Sequence, residues 1–231
     1  MKISKYYISL LICLSASVVL FSQEEKEEIT RIKGLRIGYD ISKLALYYFQ
    51  PERTAFDFSA DIEISRNYYP VFEFGIQNVD LNDSIYNYTS SGKYFRFGLD
   101  YNLLKNKRID QYEMSFIGFR YGMAFLDHSA DNIIIANDYW GDYSGGNISQ
   151  ENVGAGWIEI VGGIRGELFK NFFIGWYFSG RILVSKKNFN SMDPYYIPGF
   201  GRGDKKTSLG FNYSIYYRIP MFKTKYIKPE K

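Results

Sequence analysis

Arginine and carboxylate recur at every second position along much of this chain, a spacing that suits more than one kind of chemistry. Arg36, Arg96, Arg120, Arg165, Arg181 and Arg218 fall in the same alternating sets as Asp40, Asp57, Asp61, Glu63, Glu73, Asp100, Glu159 and Glu167. Carboxylates brought together in this way are the groups that general acid–base catalysis uses. Interleaved with guanidinium, they instead neutralise one another through bidentate, charge-assisted hydrogen bonds. Their number and interleaving favour the second use, because buried charge demands partners. The set is therefore expected to be a structural charge network, with no catalytic residue among its members. His128, the one histidine, lies in Asp127-His128-Ser129-Ala130-Asp131. Histidine moves protons near neutral pH, so a His–Ser pair would suit acyl transfer. Neighbours on a strand point apart, however, so these two could meet only in an irregular loop. An exposed loop histidine is the expectation. Asp127, Asp131, Asn132, Asp138 and Asp142 make one loop acidic but lack a calcium-loop spacing. No phosphate loop, zinc spacing or basic nucleic-acid stripe appears, so no cofactor, metal or nucleic acid is expected.

The elements that must carry these residues are strands. In Leu35-Arg36-Ile37-Gly38-Tyr39-Asp40-Ile41-Ser42, apolar and polar side chains alternate, and successive strand residues leave opposite faces. Eight such stretches are predicted, bounded by Gly, Asn, Asp or Pro: about 34–46, 55–65, 71–77, 93–103, 113–125, 156–168, 172–184 and 208–219. Connections after the second, fourth and sixth read as short. Those after the first, third, fifth and seventh read as longer, and the longest spans Leu126 to Gly154. The final long connection carries Tyr195-Tyr196-Ile197-Pro198-Gly199-Phe200-Gly201, read as a lid over one end. Lys43 breaks the alternation in the first stretch, as a snorkelling side chain or a bulge would.

The charged set decides which way the strands face. Eight strands close a barrel that its own side chains just fill. A basic residue at the mid-plane of a lipid-facing surface costs about 2–4 kcal/mol, so the charged rows are expected inside and the Phe/Ile/Tyr rows outside. Interspersed glycines (Gly75, Gly98, Gly118, Gly122, Gly163, Gly175, Gly210) would leave room for the arginines. The chain has 231 residues, a net charge of +3 and 19% aromatics, an excess that suits the membrane–water interface. Residues 1–22 read as an export signal: Lys2 and Lys5 precede an apolar run from Ile8 to Phe21. Cys13, the only cysteine, lies within it, leaving the mature chain without a thiol. The remaining organisation is expected to be a periplasmic connector at 23–33, a barrel at 34–222 and a basic tail at 223–231.

Signal, eight amphipathic strands, alternating connections and interior Arg–acid set together resemble the small eight-stranded outer-membrane barrels of the OmpA and OmpX type. The stretch Tyr213-Ser214-Ile215-Tyr216-Tyr217-Arg218-Ile219-Pro220 is similar to small barrel families of unknown function from Bacteroidota. The resemblance implies an all-β, antiparallel, up-and-down transmembrane β-barrel with a polar, side-chain-filled interior, located in the outer membrane. Implied partners are outer-membrane lipid, lipopolysaccharide and the barrel-insertion machinery. Barrels of this type commonly end in an aromatic that this machinery reads; here Phe222 is followed by Lys223 to Lys231. The expected role is structural, adhesive or surface-interacting through the external loops. The alternatives are a small-ligand or narrow-pore barrel and, behind these, a lipid A-modifying acyl hydrolase or transferase.

Overall fold

The computed structural model describes residues 28–65, 67–104, 111–135, 143–189 and 192–227. The export signal, the first residues of the expected connector, and Asp138 and Asp142 of the acidic loop lie outside them. Contacts divide the chain into Ile32–Phe222, which holds the barrel, and a second unit, Met1–Arg31 with Lys223–Lys231. Eight strands close on themselves: β1 (Glu28–Asp40), β2 (Arg53–Ile62), β3 (Tyr68–Asn82), β4 (Asn87–Asn102), β5 (Met114–Asp131), β8 (Ile148–Phe169), β9 (Phe172–Lys187) and β12 (Thr207–Ile227). Each paired register resolved between them is antiparallel. Two small hairpins decorate one end: β6 (Ile134–Ile135) with β7 (Tyr143–Ser144), and β10 (Tyr196–Ile197) with β11 (Gly201–Arg202).

Alternation fixes the two faces. Along β5, Phe116, Gly118, Arg120, Gly122 and Ala124 point inward, while Ile117, Phe119 and Phe125 are exposed. Aromatic rings pair across strands on the outside: Tyr39 with Phe58 at 5.2 Å, Phe74 with Phe95 at 5.2 Å and Phe178 with Phe211 at 5.0 Å. Such cross-strand pairs are the unit of sheet stabilisation. The interior glycines make room for several kinds of side chain. Gly98, Gly175 and Gly210 abut Arg120, Arg165 and Arg181, whereas Gly75, Gly122, Gly163 and Gly118 accommodate Tyr94, Trp157, Tyr177 and Asp100.

Three expectations are corrected. The first strand ends at Asp40, and residues expected to continue it form helix α1 (Ser42–Phe49). Leu44, Ala45 and Leu46 are strong helix formers, and the Asp40 carboxylate accepts from the Ser42 backbone N–H at 2.9 Å and its hydroxyl at 2.6 Å. Lys43 neither snorkels nor marks a bulge; it sits in the first helical turn with its ammonium 3.3 Å from Asp40. The second correction concerns length. β3 and β4 run on to Asn82 and back from Asn87, so the connection expected to be long is a tight turn at the tip of an extended hairpin. β5 and β8 likewise extend into the polar stretch from Leu126 to Gly154. Third, β1 begins at Glu28 inside the expected connector, and β12 runs to Ile227 inside the expected tail.

Candidate functional site

The interior holds one connected ladder of opposite charges. Arg36 donates through Nε to Asp61 at 2.8 Å, and Arg165 reaches the other oxygen of Asp61 at 2.9 Å. Arg165 also approaches Asp100 at 3.9 Å, and Asp100 accepts from Arg120 at 3.1 Å. Arg120 donates to Glu73, which takes Arg96 Nε at 2.8 Å on its other oxygen. Arg96 then bridges Asp57 and, at 3.7 Å, Glu159, and Arg181 Nε closes the series 2.9 Å from Glu159. Arg36, Arg165, Arg120, Arg96 and Arg181 thus meet Asp61, Asp100, Glu73, Asp57 and Glu159, a neutral set of five cations and five anions, all buried. Aromatic groups fill the remaining space. Tyr94 and Tyr177 donate to Asp57 and Glu73 at 2.8 and 3.2 Å, and the Trp157 indole donates to Glu159 at 2.7 Å. Arg120 stacks 4.6 Å from the Tyr177 ring and Arg165 4.4 Å from that of Tyr216. These uncharged partners escape a search for charge, although their positions in the alternation mark them as inward.

The other members of the expected set lie elsewhere. Asp40 binds Asn212, Ser42 and Lys43 at the upper end of β1. Arg218, at the opposite end, donates to the Ile32 carbonyl at 2.9 Å and the Asn171 side chain at 2.8 Å, with its guanidinium 3.5 Å from the Tyr112 ring. Glu63 is buried at that same end. Glu167 does not join the ladder. It pairs in register with Phe173 at the turn end of β8, is half-exposed, and accepts the Asn171 backbone N–H of the β8–β9 turn at 2.6 Å.

The last connection enters the mouth above the ladder. Ile197 and Phe200 are 0% exposed; they pack with Tyr94, Ala124, Ala155, Trp157 and Leu183. The Phe200 carbonyl accepts from Arg181 at 3.1 Å, so the stopper is pinned to the top of the ladder. Gly199 makes the turn possible: its φ is +73°, and a Cβ there would lie 2.5 Å from the Tyr94 ring. Further out, the Tyr195 backbone N–H donates to the Tyr88 hydroxyl at 3.1 Å, and Arg53 stacks 4.4 Å from Tyr196.

His128 is the second correction among the candidate residues. It belongs to β5, is 3% exposed, and its Nε2 lies 3.0 Å from Gln150 Oε1 across the β5–β8 ladder. Burial pushes its pKa down, against smaller upward pulls from Gln150 and Asp127. Ser129 leaves the opposite face and its hydroxyl lies 2.8 Å from that of Thr89, so the His–Ser pair that acyl transfer needs is not formed. Among the described residues, no three His, Cys, Asp or Glu side chains converge to hold a metal.

The profile of the family described as Domain of unknown function (DUF6048) matches residues 3–224. The chain belongs to that family. No curated protein matches it. Two solved structures are similar to this DUF6048 member. Ail, the attachment invasion locus protein of Yersinia pestis, shares 11% identity with a TM-score of 0.41, covering 82% of this chain and 99% of its own. A major outer membrane protein from Thermus thermophilus shares 8% identity with a TM-score of 0.38, covering 81% and 98% respectively.

Proposed function

We propose that this DUF6048 protein is an outer-membrane barrel of the small OmpX-like kind that acts through its external loops, as a structural or surface-interaction protein, and does not conduct or catalyse. The observation that carries this reading is the pairing of an apolar exterior with an interior occupied by buried, mutually paired charges and packed aromatic side chains. Exposed Phe58, Phe72, Phe97, Phe119, Ile160 and Phe178 ring the outside, where the preferred solvent is hydrocarbon. Inside, the neutral ladder and the Ile197–Phe200 stopper above it are buried and joined through Arg181, which leaves the loops as the surface available to a partner. Two of those loops are joined: the Ile134 N–H donates to the Ile85 carbonyl at 2.8 Å, linking the β3–β4 tip to the β6–β7 hairpin. Ile85, Ile134 and Ile135 are all exposed on this platform, an arrangement suited to binding another surface. Export through a cleaved signal and delivery by barrel-insertion machinery complete the proposal.

Cell fractionation with a heat-modifiable gel shift tests the location, and planar-bilayer recording tests the closed interior. Outer-membrane recovery with no steady conductance is the expected result. Steady single-channel conductance of the intact chain would favour the narrow-pore alternative, and a soluble periplasmic pool with no gel shift would end the membrane reading. Ile85→Ser/Ile134→Ser/Ile135→Ser is expected to leave the gel shift unchanged while removing attachment of cells to surfaces.

A further inference from the structure

The outer wall made by β8, β9 and β12 differs from the rest of the barrel in two ways that coincide. Its apolar surface is notched: Gly162 and Gly180 point outward, and a Cβ on Gly180 would meet nothing within 4 Å. Gly180 pairs with Ile160 on one side and Leu209 on the other. With no side chain between them, these two stand 62% and 90% exposed. Together with Phe178 and Ile117 they border an apolar groove of about 490 Å³. Above it the outward row of β9 continues through Ile182 to Val184, where the register shifts; beyond that bulge Ser185 and Lys187 face out beside Gly156 and Gly154, Lys186 pairs with Ala155 at the rim, and the apolar band ends.

The second difference is charge. Lys186, Lys205 and Lys206 line one hollow at this end of the wall, with Asp204 beside them, and the Leu183 N–H bond to the Lys206 carbonyl at 2.8 Å holds the hollow in shape. Lys187 and Arg202 are near neighbours in sequence. Lys186 pairs with Asp193 at 3.0 Å, and Arg202 and Lys205 share Asp204 at 3.0 and 3.6 Å; Lys187 and Lys206 form no ion pair among the described residues. Five cations against two carboxylates leave this sector positive. The rim on the β3–β4 and β5–β8 side carries Asp80, Asp83, Asp127, Asp131 and Glu151 instead.

We infer that this wall seats a phosphorylated lipid of the surrounding leaflet, with one acyl chain in the Gly162–Gly180 groove and the phosphate against Lys186, Lys205 and Lys206. An anion at headgroup depth is attracted here and repelled elsewhere on the rim, and the notch supplies the acyl contact that a smooth wall lacks. The inference rests on the membrane reading above and gives it a specific lipid partner.

The test uses the full chain in phosphatidylcholine nanodiscs, titrated with bisphosphorylated lipid A or its dephosphorylated form, with bound lipid counted by native mass spectrometry. The phosphorylated lipid should bind on the order of a hundredfold more tightly, about fivefold for each of three lysines. Lys186→Gln/Lys205→Gln/Lys206→Gln should erase that preference, and Gly180→Leu should weaken both lipids; Lys93→Gln, on another sector, should change neither. Equal retention of the two lipids, or equal retention by wild type and the triple variant, overturns the proposal. So does full displacement by inorganic phosphate alone, or a paired-protein mass lost in Gly180→Leu and indifferent to the lysines, which would make this face a contact between two copies. Failure to insert, seen as absence of the heat-modifiable band, sinks the membrane reading itself; insertion without lipid preference sinks only this inference.

Discussion

Arg120→Met should be among the most damaging single substitutions in the barrel. Arg120 is fully buried and donates to two different carboxylates, Glu73 and Asp100, while its guanidinium lies 4.6 Å from the Tyr177 ring. Two charge-assisted hydrogen bonds at about 1.5–3 kcal/mol each and a desolvated cation–π contact of about 2 kcal/mol give about 5–8 kcal/mol. Glu73 keeps Arg96 and Asp100 keeps Arg165 at 3.9 Å, which offsets part of that loss. The expected cost is about 3–5 kcal/mol, the range for breaking a buried pair from one side. Removing a carboxylate as well, in Arg120→Met/Asp100→Leu, restores the balance at four cations and four anions. That double variant should be less damaged than the sum of the single variants by about 2 kcal/mol. Urea titration of protein folded in lipid vesicles, followed by tryptophan fluorescence and the heat-modifiable gel shift, measures all four species. A single-variant cost under about 1 kcal/mol, or strict additivity in the double, would refute the idea that the ladder is a mutually dependent neutral set.

Gly122→Leu should destabilise by about 1–3 kcal/mol, since even a Cβ there would lie 2.2 Å from the Trp157 indole, while Gly166→Leu, facing open space, should be near neutral by the same titration. Ile197→Ala should cost about 2–5 kcal/mol, yet bilayer recordings should stay silent because the ladder beneath remains shut. The neutral His128 ring is the form that the fold prefers, so its contribution to stability is complete above the ordinary histidine pKa of about 6.5 and is lost as pH falls through the lowered folded value. Stability should therefore decline below about pH 6, and His128→Gln should flatten that decline. An unchanged pH profile in His128→Gln would remove the assignment.

What was legible in the sequence was whatever two contrasting solvents write into a strand. Arg96, Gly98 and Asp100 alternating with Phe95, Phe97 and Leu99 leave one choice of face, and the structure has that choice. Where the contrast stops, so does the reading. Beyond Ile76, β3 turns Asn78 and Asp80 outward and Val79 inward, where the apolar packing lies inside with Tyr88 and Ala130 and the outer face is polar. The extended hairpins were invisible for that reason. The membership of the ladder could be read from charge and parity, but its pairing depends on register: Asp61 meets Arg36 and Arg165 although they lie 25 and 104 residues away. Glu167 shows the limit of parity: it keeps the inward register opposite Phe173 but lies at the strand end, where the Asn171 backbone N–H of the turn takes its carboxylate. α1 leaves little mark in the alternation: Lys43 reads as a break within a strand, whereas it follows the point where the strand ends and the helix begins.

That early ending leaves the cylinder with one stave cut short. The last β1–β2 pair is Tyr39 with Phe58, and the Ile41 N–H makes a final bond to the Tyr213 carbonyl, so Arg53–Asp57 and Thr207–Asn212 rise past it on either side with a helix, not a strand, between them. A helix spends its backbone groups on itself and can lend few to its neighbours. The first-to-last seam is therefore stitched in its lower half and merely covered in its upper half. Opening of the wall is expected to begin there, so in hydrogen-exchange measurements the backbone amides along the start of β12 should trade hydrogen with water sooner than those of strands paired on both flanks.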